Sequence, residues 1–162
     1  MGRKAQLWSL DFVMSLLIFM SAVLAVAFAW NYISANAAET QEMKELQYKV
    51  LALSDSLIRT PGIPAEWNET TVEVIGLAED ENVLNVTKVS HFISMSNTDY
   101  ERARALLNMG PYEFYFEVAD LNGTVIQNTT NPLSPAASMV IPAERYSLYN
   151  GRMAKVSLII WG

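Results

Sequence analysis

Residues 12–33 read FVMSLLIFMSAVLAVAFAWNYI, twenty-two positions without an Asp, Glu, Lys, Arg or His. A bilayer core is crossed by roughly 20 apolar residues of helix at about 1.5 Å rise each, and this run meets that length. Trp8 stands near one end and Trp30 and Tyr32 near the other, where aromatic belts meet the two interfaces. A cleaved secretory signal has a shorter apolar core, about 7–15 residues. A helix buried in a soluble core seldom lacks polar residues on every face. The run therefore reads as a membrane span. Of the 17 acids and 11 bases in the chain, only Asp11, Arg3 and Lys4 precede it, which leaves 16 acids against 9 bases beyond. Basic residues on the N-terminal side predict an N-terminus in the cytoplasm and residues after 33 outside.

Outward from this run, no Pro or Gly interrupts the chain between Tyr32 and Arg59. Met43, Leu46, Val50, Leu53 and Leu57 recur at spacings of 3 and 4, an apolar seam along one helical face. Thr60-Pro61-Gly62-Ile63-Pro64 ends the pattern. The expectation is one helix from about residue 7 to 59, roughly 75–80 Å long, with a membrane half and an amphipathic half.

Residues 60–162 read as an α+β head. Thr71–Ile75 has the composition of a short strand, and Thr87–Met95 is weakly helical with Val89, Phe92 and Ile93 on one side. Thr98-Asp99-Tyr100-Glu101 has the form of a capping box, and Asn108-Met109-Gly110-Pro111 ends that helix. Tyr112–Val118 alternates like a half-buried strand, and Asn122-Gly123 is a type I′ hairpin signal before Thr124–Ile126. Ser138–Tyr149 and Arg152–Trp161 flank Asn150-Gly151 as a second hairpin, with Pro142 pointing to an edge or an interruption. Residues 127–138 form a long polar loop. The expected whole is an antiparallel sheet of four or five strands with a helical excursion, its core completed by residues 43–57.

Composition removes most catalytic chemistry. At 162 residues the chain holds one domain or a small domain with an appendage, and its net charge of −6 with a pI near 4.7 argues against nucleic acid as a partner. With no Cys there is no disulfide or thiolate chemistry, and with one His any zinc site or His-based triad depends on His91. His91 sits among Val89, Phe92 and Ile93, Glu79-Asp80-Glu81 lacks the oxygen-rich loop of a calcium site, and Glu113 and Glu117 alternate with aromatics on a strand. None of these assembles a catalytic, metal or cofactor site, and the reading is a non-enzyme. Asn68-Glu69-Thr70, Asn85-Val86-Thr87, Asn122-Gly123-Thr124 and Asn128-Thr129-Thr130 are N-glycosylation acceptor patterns, and all four lie in the half expected outside.

Asp11 needs its own explanation, because an acid in a membrane helix is costly and is read as functional by default. Its setting is Arg3-Lys4-Ala5-Gln6-Leu7-Trp8-Ser9-Leu10-Asp11-Phe12 before the apolar run. This N-terminus resembles the class III signal of archaeal type IV pilins and pilin-like proteins, with one residue more between Gln6 and Asp11 than the usual spacing. Further along, Leu51–Pro61, Gly76-Leu77-Ala78, Tyr112–Phe116 and Tyr149-Asn150-Gly151 resemble the order of features in a group of archaeal pilin-like membrane proteins. The resemblance implies a leader over 1–5, cut between Ala5 and Gln6 by a prepilin-type peptidase. It further implies a transmembrane and filament-core helix over 6–34, an amphipathic helix over 35–59 and an extracellular head over 60–162. It makes Asp11 the acid that meets a neighbouring subunit's new α-amino group. The partners it implies are other pilin copies, an assembly ATPase and a membrane platform, with lipid around the helix before assembly. The competing reading is a single-pass membrane protein whose outer domain binds a ligand and never polymerises.

Overall fold

The computed structural model describes residues 3–162; Met1 and Gly2, and the side chains at 3–9, 35–40 and 42, lie outside the described residues. The chain forms two compact units, one ending at Glu45 and one running from Leu46 to Gly162. A single helix, α1 (Arg3–Arg59), supplies the described residues of the first and the beginning of the second. It is as continuous as the absence of Pro and Gly predicts.

In the second unit α1 presents Leu46, Val50, Ser54, Leu57 and Ile58 to the core, and each of the four apolar side chains is at most 4 % exposed. The expected seam needs adjustment at two positions. Met43 is exposed and Leu53 only half-buried, because spacings of 4, 4, 3 and 1 follow the true 3.6-residue period more closely than a strict heptad does. The end of α1 is built into the fold. A helix leaves its last four carbonyls without intrahelical partners. Here Leu77 N–H donates to Leu57 O at 2.8 Å and Asn82 N–H to Ile58 O at 3.2 Å, while Thr60 N–H takes Ser56 O at 3.0 Å. Ala78 N–H adds a bond to Thr60 O. The Thr-Pro-Gly turn and the Gly-Leu-Ala segment thus meet backbone to backbone. A Cβ on Gly76 has no room, because Gly62 N and Thr60 O occupy its place. Trp67 Nε1 donates to Pro61 O and Gly76 O across the same junction, and the buried Lys88 ammonium donates to Pro61 O at 2.9 Å and Ala78 O at 3.3 Å.

The head is α+β. Six strands, β1 (Ala78–Asp80), β2 (Val83–Leu84), β3 (Glu113–Asp120), β4 (Val125–Asn128), β5 (Val140–Tyr149) and β6 (Arg152–Trp161), lie in the order β1-β2-β5-β6-β3-β4. All neighbours are antiparallel except β2 and β5, which pair in parallel through Val83–Leu148 and Leu84–Tyr149. The sheet therefore has six strands where four or five were expected, and departs from the wholly antiparallel expectation at this two-residue contact. Residues 71–75 are not a strand. Ile63 and Val74 make one isolated bridge, and the ladder cannot extend along Pro64, which has no N–H to give.

Helices α2 (Val86–Thr98) and α3 (Tyr100–Leu106) share one capping residue, Asp99. Its carboxylate accepts from Arg102 N–H, so the cap lies one residue later than the expected box and Thr98 still belongs to α2. Phe92 on α2 stacks on Phe114 and meets Phe116 edge-on at 5.1 Å, and Tyr100 on α3 stacks on Phe114 at 5.0 Å. Burial holds the Tyr100 hydroxyl protonated, its pKa pushed up to about 12, while it accepts from Phe114 N–H at 2.7 Å.

The two hairpins use different turns. Asn150 and Gly151 both have positive φ, the type I′ geometry that Asn-Gly favours. At Asn122-Gly123 only Gly123 is left-handed; Gly123 N–H closes the turn on Asp120 O, and the register slips between Val118 and Ala119. That is a type I turn with a bulge, selected because the Asp120 carboxylate accepts both Asn122 N–H and Thr124 N–H. β4 also claims Gln127 and Asn128 from the expected loop.

Candidate functional site

From Leu10 to Ser34 the helix has a mean hydropathy of 2.6, and none of it is buried in this chain. Phe12, Ile18, Phe28, Trp30 and Tyr32 are each 68–74 % exposed. Leaving one large apolar side chain in water forgoes about 1.5–3 kcal/mol. Over this segment the sum is on the order of tens of kcal/mol, beyond the roughly 5–15 kcal/mol that holds a domain together. The segment is long and apolar enough to cross a membrane. The hydroxyl of Ser21 is satisfied within the helix, donating to Ile18 O at 2.8 Å, and so adds no open polar group.

Asp11, the second residue of this segment, is exposed on the helix surface. At about 100° per residue it shares one face with Ser15, Ile18, Ala22, Ala25 and Ala29, all within about 40° of its direction. Val13, Leu16, Met20 and Leu24 lie within about 40° of the opposite direction. Small side chains let helix backbones approach closely in an apolar medium. The acid is thus aligned with the face best shaped for another helix. Hydropathy alone hid this alignment; a helical projection of residues 11–29 reveals it. Ala5 and Gln6 lie within the helical backbone of α1, but their side chains, like Met1 and Gly2 of the expected leader, are outside the described residues.

The four candidate glycosylation sites differ in setting. Asn68, Asn122 and Asn128 are exposed and Asn85 half-buried. Asn85 is the N-cap of α2, its Oδ1 accepting from Thr87 N–H and Lys88 N–H. Asn128 donates from Nδ2 to the Tyr115 hydroxyl and Thr129 O. Asn122 sits in the turn closed on Asp120.

His91, Glu81, Glu113 and Glu117 each have a partner within the second unit. His91 Nδ1 lies 3.3 Å from Glu69 Oε1, and hydrogen bonding from Ser94 and then His91 holds the Glu69 carboxyl below its ordinary range. Glu113 pairs with Arg104 at 2.7 Å, and Glu117 accepts from the Tyr115 hydroxyl at 2.8 Å, both on the sheet face away from Phe114 and Phe116. Glu81 faces Arg59 at 3.9 Å. Among the described residues, no group of His, Asp and Glu is arranged to hold a metal ion. The sequence reading missed the junction of Gly62, Trp67, Gly76 and Lys88, for which the only signal was two glycines beside a helix end. Comparison with protein-family models, curated proteins and solved structures finds no match for this chain.

Proposed function

We propose that this chain is a structural subunit of an archaeal type IV pilus-like surface filament, inserted with its N-terminus in the cytoplasm and its head outside. A prepilin-type peptidase removes residues 1–5, and the subunit polymerises through its N-terminal helix. The observation that carries this reading is Leu10–Ser34, wholly uncovered by its own chain and bearing one acid on its small-residue face. Lipid covers such a helix before assembly, and sister helices cover it afterwards. The 25-residue segment begins at Leu10, so Asp11 lies at its end, where the cost of an acid is smaller than mid-bilayer.

Removal of the leader takes away Arg3 and Lys4 and leaves a new α-amino group five residues before Asp11. An α-amino group titrates at about 7.7–8.0 and is largely charged near neutral pH. In an apolar bundle neither that cation nor the carboxylate is tolerable unpaired, and together they compensate. The pairing sets the stagger of neighbouring helices as well as their attraction. The mechanism is assembly, with the peptidase, an assembly ATPase and a membrane platform as partners and no catalysis by the chain itself.

N-terminal sequencing and intact mass of the protein purified from its native membranes test this reading. A mature N-terminus at or within a residue of Gln6 is expected. A chain that retains residues 3–5 contradicts it and favours a membrane-anchored binding module.

A further inference from the structure

The geometry points to Asn68 as the preferred attachment site of an N-linked oligosaccharide on the head, ahead of the other three acceptor patterns; this rests on the outward topology proposed above. Asn68 is exposed, and its side chain closes a tight turn on its own acceptor residue. Thr70 Oγ1 donates to Asn68 Oδ1 at 2.8 Å, and Thr70 N–H and Thr71 N–H donate to the same oxygen at 3.0 and 3.1 Å. Asn68 O accepts from Thr71 N–H and Val72 N–H, and Asn68 N–H donates to Thr71 Oγ1, so the turn is fixed from both ends.

Three donors on Oδ1 hold the oxygen side of the amide against the turn, on a residue that is itself exposed. They also draw electron density onto oxygen, which makes an Nδ2 proton easier to lose. In the reaction Nδ2 attacks C1 of a polyprenyl-phosphate-linked oligosaccharide. The N–C1 bond forms, the C1–O bond to phosphate breaks, and the amide proton leaves with the phosphate or to water. The asparagine and threonine of the pattern must therefore act together, as they do at residues 68 and 70.

Among the described residues, Asn68 is the one acceptor asparagine whose carboxamide oxygen takes the hydroxyl of its own pattern's threonine. Asn85 is a half-buried helix cap, and Thr87 contributes its backbone N–H to that cap. Asn128 spends Nδ2 on Tyr115 and Thr129, while the Thr130 hydroxyl donates to Asn97. The Asn122 turn is closed by the Asp120 carboxylate, with Thr124 N–H bonded to it at 2.8 Å.

Glycopeptide mass spectrometry of the full chain from its native cells tests the assignment, with Asn68→Gln, Thr70→Ala, Thr70→Ser, Asn85→Gln and Asn128→Gln each as the only copy. The expected result is a glycan on Asn68 that Asn68→Gln and Thr70→Ala abolish and that Thr70→Ser retains at reduced occupancy. Asn85→Gln and Asn128→Gln leave the intact glycan mass unchanged. An unmodified Asn68, or a glycan confined to the other sites, overturns the inference. Labelling intact cells in parallel with a membrane-impermeant amine reagent separates the two failures. A labelled head with bare Asn68 refutes the site alone, and an unlabelled head with bare Asn68 refutes the topology as well.

Discussion

Between Leu46 and Ile58 the head covers one apolar face of α1, made by Leu46, Val50, Leu57 and Ile58, whereas between Leu10 and Ser34 no residue of the same helix is buried. The two stretches differ in pattern as well as in total hydrophobicity. The first alternates Leu46, Val50, Leu57 and Ile58 with Lys49, Asp55 and Arg59, so a single domain can shelter one face and hydrate the other. The second is apolar all round, and one small domain cannot enclose it. A helix patterned this way needs a medium or a set of neighbours on every side, and that requirement motivates the assembly reading.

The sharpest way to break the comparison is to place one carboxylate in each stretch. Val50 is fully buried, so Val50→Asp should cost the head about 3–5 kcal/mol, from an uncompensated charge and lost packing. Thermal melting of the detergent-solubilised full chain should show a destabilised or unfolded head. Leu24→Asp should leave that melting transition in place but reduce membrane insertion by about 2.5–3.5 kcal/mol. Leu53→Asp should fall below Val50→Asp, since Leu53 is only half-buried. Equal melting of the Val50 and Leu24 variants would erase the distinction between the two stretches.

The junction that anchors the buried stretch offers the next largest effect. A methyl at Gly76 collides with the backbone of Thr60 and Gly62, so Gly76→Ala should destabilise the head by about 1–3 kcal/mol. Chemical denaturation followed by tryptophan fluorescence reads this through the head's two tryptophans, Trp161 and Trp67, whose Nε1 bonds Gly76 O.

This junction also marks the limit of what could be read from the residues alone. α1 was legible because its signals are local: an apolar run, a period near 3.6 and a Pro-Gly stop. The β5–β6 hairpin was legible for the same reason, since Asn150-Gly151 specifies its own turn. The β1–β2 pair and its parallel contact with β5 were not, because strands of two or three residues carry no period and depend on partners some 65 residues away. Asn122-Gly123 misled because Asp120, just before the turn, outweighs the dipeptide's own preference. Of the candidate site, Asp11 was visible as an anomaly, while its alignment with Ala22, Ala25 and Ala29 emerged only on a helix of known continuity.

Smaller effects refine the picture of the head. Asn85→Ala removes the acceptor for two N–H groups of α2 and should cost about 1 kcal/mol in equilibrium unfolding. The depressed Glu69 carboxyl contributes stability that is complete above its unfolded value of about 4.5 and is lost as pH falls through its lower folded value. Glu69→Gln should therefore lower the melting temperature slightly at about pH 5–7, and the gap from wild type should close only as pH falls below about 4.5. A gap that widens below that value would assign the wrong sign to this group.

The central claim is that the uncovered stretch is covered by sister helices through Asp11, and filament yield from cells carrying Asp11→Ala as the only copy measures it, with subunit level in the membrane as the control. Insertion and head folding should be intact, because removing the charge makes the segment more apolar. Filaments should be absent or sparse, since an incoming α-amino group is left unpaired, and Asp11→Glu should restore many of them. Wild-type filament yield from Asp11→Ala at a normal membrane level would contradict the account.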